Sequence, residues 1–120
     1  MHHQRGKEAE LLRFASKDEV ARTLLQAIDH ELDAAHRKLA EPWYWRGVGA
    51  LERQAAMQAR SCVQAVLASH QRRFLVTSNG LAQRCHAELL KLTEFWRANP
   101  DDEDGYGLGT LHAIRRVLEC

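Results

Sequence analysis

Residues 43–74 read WYWRGVGALERQAAMQARSCVQAVLASHQRRF, and their reading decides the fold. The stretch holds no proline and no cluster of turn residues. It predicts one long helix begun by Pro42, whose fixed φ suits a helix start. Val48, Leu51, Ala55, Ala59, Cys62 and Val66 recur at helical spacing. Several of these are small, so another helix can pack close against them. Arg46, Arg53 and Arg60 recur almost every two turns and line up on the opposite face. One face is core and the other is cationic.

Upstream, Ser16-Lys17-Asp18-Glu19 reads as a capping box that starts a helix at Lys17. Val20, Leu24, Ile28, Leu32, Ala35 and Leu39 form its apolar stripe. Arg37 and Lys38 suit the negative end of its dipole. Glu41-Pro42 ends it, and so short a connection predicts an antiparallel hairpin with the long helix. Leu11, Leu12 and Phe14 predict a short helix over residues 8–14; one continuous helix over residues 7–39 is the alternative. Residues 1–6 read as unstructured.

Downstream, the long helix fades between His70 and Thr77. Thr77, Ser78 and Asn79 are candidate caps for the next helix. Its stripe is Leu81, Cys85, Leu89, Leu92 and Trp96, and Asn99-Pro100 stops it. Residues 101–109, DDEDGYGLG, read as an acidic, glycine-rich loop. Thr110 then caps a short last helix with Leu111, Ile114, Val117 and Leu118. The expected fold is all-α: an antiparallel helical bundle of about four main helices plus a short C-terminal one, forming a single domain over residues 1–120.

The balance of the chain supports this. Good helix formers dominate, and 120 residues suffice for one core. The net charge of +1 argues against a dedicated nucleic-acid binder. No stretch has the run of apolar residues that spans a membrane, so no membrane partner is expected. The N-terminus lacks the apolar run of a signal peptide, and Cys62, Cys85 and Cys120 form no CxxC pair. A cytoplasmic protein with reduced thiols is expected.

The motifs of chemistry are weak. Asp33-x-x-His36 has no second copy, so no metal site is expected. Cys85 and His86 are adjacent on a helix and point about 100° apart, poor geometry for a thiolate–imidazole pair. Gly105, Gly107 and Gly109 follow acids that would repel phosphate. No catalytic residue and no cofactor is assigned.

The surface says more. Trp43, Tyr44 and Trp45 stand at the hairpin corner, and three consecutive helical residues cannot all face one core. Aromatic rings beside arginines are what interfaces concentrate. The expected function is a small non-enzymatic interaction or regulatory protein, plausible as a homodimer. Its expected partner-binding residues are Trp43, Tyr44, Trp45, Arg46, Arg53 and Arg60, with a protein or a second copy as partner.

Residues 76–95, VTSNGLAQRCHAELLKLTEF, resemble in part the helix-turn-helix of phage-repressor-type regulators. Leu81-Ala82, Cys85, Ala87, Leu92 and Phe95 fall where that motif has apolar or small residues. The resemblance implies DNA binding through a motif at about residues 76–96, the alternative function. It departs at His86, where the motif has glycine. Leu89 and Leu90 would meet base edges that leucine cannot read. A single buried stripe explains those leucines better, so an unbroken helix from near Gly80 to Ala98 is expected.

Overall fold

A computed structural model describes residues 10–120. The chain is all-α, with four helices among those residues: α1 Lys17–Leu39, α2 Trp43–His70, α3 Ser78–Arg97 and the short α4 Tyr106–Arg116. The expected disorder of residues 1–6 lies outside the described residues.

The serine half of the capping box at α1 forms, and the glutamate half falls one residue early, on the residue before the cap. Ser16 Oγ accepts from the Glu19 N–H at 3.1 Å, and Glu19 Oε1 reaches back to the Ala15 N–H at 2.7 Å. The α1 stripe Val20, Leu24, Ile28, Leu32 and Ala35 is buried. Lys38 meets Glu52 at one end of the hairpin and Asp18 meets Gln71 at the other, so α1 and α2 run antiparallel. Gly49 permits their close crossing. A Cβ there would lie 2.7 Å from the Ala35 carbonyl oxygen and 2.9 Å from Lys38 Cβ.

The buried face of α2 is Val48, Gly49, Ala55, Ala56, Ala59, Val63, Val66 and Leu67. This corrects the expected stripe at two points. Cys62 and Leu51 are only half-buried. A helical stripe can advance by three or by four residues, and here it advances from Ala59 to the larger Val63.

Helix α3 is capped by Thr77, whose side chain accepts from the Gly80 N–H at 2.9 Å. It runs without a break to Arg97, so residues 76–96 do not form a helix-turn-helix. Leu81, Cys85, Leu89 and Trp96 are buried along it as expected, whereas Leu92 is half-buried and Thr93 takes the buried place beside it. Trp96 donates to Gln58 of α2 through Nε1 at 2.7 Å.

Two segments differ from expectation. Residues 11–15 are not helical, and α1 starts only at Lys17. Leu11 instead makes an antiparallel bridge with Glu119. The Leu12 N–H bonds to the Leu118 carbonyl at 2.8 Å, and the Cys120 N–H to the Glu10 carbonyl at 2.8 Å. Ser78 Oγ donates to the Phe14 carbonyl at 2.7 Å. These partners satisfy backbone groups that a helix would have satisfied internally.

The last helix also starts earlier than Thr110. Gly105 adopts a left-handed φ of 76°, and α4 follows at once from Tyr106. The cap is Asp102, at the end of a 3-10 turn over Pro100–Asp102. Its carboxylate accepts from the Gly107 N–H at 2.8 Å and the Leu108 N–H at 2.9 Å. Thr110 lies inside the helix, where its hydroxyl donates to the Tyr106 carbonyl.

Candidate functional site

Pro42 sets where α2 begins, and so places Trp43, Tyr44 and Trp45 in its first turn. None of the three rings enters the core. Trp43 is 81% exposed, and Tyr44 and Trp45 are 45% and 44% exposed. They form a chain of edge-to-face contacts. Trp43 and Tyr44 have centroids 6.2 Å apart at 86°, and Tyr44 and Trp45 5.2 Å apart at 78°.

Neighbouring helices support this corner. The Tyr44 and Tyr106 hydroxyls share a hydrogen bond of 2.9 Å, which ties the corner to α4. That bond raises the Tyr106 pKa above its ordinary value. Lys38 Nζ sits 5.8 Å from the Trp45 ring centroid, while Glu52 holds the same ammonium at 2.9 and 3.0 Å. Tyr44 and Trp45 are therefore exposed yet tied to α4 and α1, and Trp43 rests edge-on against Tyr44.

Arg46, Arg53 and Arg60 are all exposed along α2, as their spacing predicts. None of them makes an ion pair with the described residues. Arg53 also lines a shallow groove of about 780 Å³ with Leu39, Met57, Cys62 and Leu92. The opposite charge lies close to the corner. Asp101, Glu103 and Asp104 are exposed just before Tyr106.

A second polar cluster joins α3 to the end of the chain. His86 Nε2 lies 2.7 Å from Glu119 Oε2 in a largely buried setting. Arg115 approaches the same carboxylate oxygen at 3.5 Å and donates to Thr93 Oγ1 at 3.3 Å. Burial pushes the Glu119 carboxyl up, but the His86 hydrogen bond and the Arg115 charge outweigh it and hold it below its ordinary range. Sequence reasoning missed this pair, because no local pattern links residues so far apart.

The arrangement offers little to nucleophilic chemistry. His86 is engaged by Glu119, and burial pushes the neighbouring Cys85 thiol up to about 12, so it stays protonated. Asp33 and His36 are both exposed on α1. Among the described residues, no three His, Cys, Asp or Glu side chains are grouped to hold a metal. No protein-family model, curated protein or solved structure matches this chain.

Proposed function

We propose that this is a small, non-enzymatic interaction protein of the cytoplasm. It engages a protein partner, in the first instance a second copy of itself, through Trp43, Tyr44, Trp45, Arg46, Arg53 and Arg60. The observation that carries this reading is the four-fifths exposure of Trp43 on an ordered helix, beside two further half-exposed rings. Leaving such apolar area in water is unfavourable, and covering it supplies binding energy. Tyr44 and Trp45 are already held by Tyr106 and Lys38, so association costs little ordering of those two side chains.

Charge supports self-association. An isologous interface needs a patch complementary to itself. The corner has the exposed Arg46 beside its rings on α2, and the exposed Asp101, Glu103 and Asp104 just before Tyr106, which bonds Tyr44. Two copies related by a two-fold axis can set each arginine face against the partner's acids.

Sedimentation velocity over a range of concentrations tests this. A reversible dimer is expected. Tyr44→Ala and Trp45→Ala should each raise its dissociation constant about tenfold or more, as central aromatic contacts do. A concentration-independent monomer would remove the second copy as the partner.

A further inference from the structure

The loop between α2 and α3 has a composition unlike a normal turn. It reads QRRFLVT over residues 71–77. The Val76 N–H bonds to the Arg73 carbonyl at 3.2 Å, which closes a turn with Phe74 and Leu75 at its centre. Turn centres favour Gly, Pro, Asn, Asp and Ser. Here two large apolar side chains occupy them, 95% and 89% exposed.

The loop is braced with those side chains outward. The Gln71 N–H bonds to the Leu67 carbonyl at 3.0 Å and the Arg73 N–H to that of His70 at 3.1 Å. Arg73 Nε donates to the Ser69 carbonyl at 2.9 Å. Lys17 Nζ donates to the Arg73 carbonyl at 2.7 Å, and Gln71 Nε2 to Asp18 Oδ1 at 2.9 Å. Phe74 and Leu75 thus form a projecting apex, not a frayed end.

Cations stand behind the apex. Arg72 and Arg73 precede it and are exposed. Lys17 lies at its base, Arg84 shares a shallow depression with Leu75, and Arg13 lies beside Asn79 at the start of α3. Among the described residues the acids at the base of the loop are Asp18 and Glu19, and Glu10 lines the same depression as Arg13. Gln71 occupies the first, and the Ala15 N–H the second.

We infer that this apex is a membrane-surface contact: Phe74 and Leu75 enter the interface of a bilayer whose anionic headgroups are met by Arg72, Arg73, Lys17 and Arg84. The order of the groups fits that occupant. A bilayer presents phosphate outermost and acyl chain beneath, so an entering loop needs apolar residues at its tip and cations one layer back. A protein partner fits less well, because two residues on a convex tip offer far less area than a stable protein interface buries. Among the described residues no helix is long and apolar enough to cross a membrane. That bears on spanning, and surface contact needs no such helix. The apex lies beyond the C-terminal end of α2, whereas the aromatic corner is at its N-terminal end, so the two surfaces are independent.

Co-sedimentation of the full chain with vesicles tests the inference. Binding is expected to phosphatidylcholine mixed with phosphatidylserine, and to weaken as salt rises. Phe74→Ser with Leu75→Ser should lower the partition coefficient about tenfold or more, since apolar insertion is lost. Arg72→Glu with Arg73→Glu should abolish the preference for phosphatidylserine. None of these side chains is buried, so circular dichroism should be unchanged. Gln64→Ala, exposed on α2 and outside both surfaces, should leave vesicle binding intact. Absence of binding to the mixed vesicles, or equal binding by the serine variant, overturns the inference. So does a serine variant that alters only self-association in sedimentation velocity, which would make the apex a protein contact.

Discussion

Gly107 on α4 lies so close to the Trp96 indole that a methyl group in its place would overlap the six-membered ring. Trp96 is fully buried and donates to Gln58, so it has no room to move aside. Gly109, two residues on in the same helix, has nothing within 4 Å of where a Cβ would stand. One glycine is required by packing and the other is not.

Gly107→Ala should therefore destabilise and Gly109→Ala should stabilise. Overpacking costs about 1–3 kcal/mol, against a helix-propensity gain of about 1 kcal/mol for replacing glycine. At Gly109 only the gain applies. Urea denaturation should show the midpoint falling for the first variant and rising for the second, with unchanged slopes. Midpoints that move together in either direction would refute the Trp96–Gly107 packing.

The protein should lose stability in acid, in two stages. His112 has a pKa below its ordinary 6.5, first through burial and then through the charges of Arg115, Arg97 and Arg116. Glu119 has one below its ordinary 4.5, because His86 and Arg115 outweigh the upward push of burial. In both cases the unfolded chain binds its proton more readily, so protonation favours unfolding. Stability from His112 is complete above pH 6.5 and declines below it. That from Glu119 is complete above pH 4.5 and is lost as pH falls through its folded value. Tm measured against pH should show both declines, and Glu119→Gln should flatten only the more acidic one. An unaltered acid limb in that variant would remove Glu119 as its source.

The three thiols should react in a fixed order. Cys120 is exposed and Cys62 half-buried, while Cys85 is fully buried with its thiol pushed up to about 12. Burial, and then the Glu88 charge, also raise Cys62. A chromogenic disulfide reagent at neutral pH should therefore label Cys120 quickly and Cys62 slowly. Cys85 should react only when the protein unfolds. Rapid labelling of Cys85 in the native protein would mean that α3 is not packed as described.

What was legible in the sequence was what depends on neighbours in the chain. Ser16 caps the helix that its own Glu19 supports, and Pro42 marks the corner where α2 begins. The crowding of three adjacent aromatic residues foretold exposure, and all three rings are at least partly exposed. The leucine stripe of α3 foretold an unbroken helix through His86. What stayed hidden depends on distant partners. Leu11, Leu12 and Phe14 are as compatible with a helix as with an extended strand, and pairing with Leu118 and Glu119 decides between them. Thr110 is a permitted cap by residue type and stands directly before the apolar run that starts at Leu111. Yet Asp102 takes that role because the 3-10 turn swings its carboxylate onto Gly107 and Leu108. The apolar pair Phe74-Leu75 read as the fading end of a helix, since no local pattern reports which way a turn points.

The bridge between Leu11 and Glu119 has a consequence for the order of assembly. It joins segments from opposite ends of the described chain, so closing it early would carry a large entropic cost for little return. The hairpin of α1 and α2 is local and can form first. The clasp can close only after α3 and α4 have docked and brought Leu118 within reach of Leu12. It is thus the last part of the molecule to form and among the first to open. Amide exchange at Leu12 and Cys120 should therefore run ahead of exchange at Leu24 and Leu89 in the buried helices.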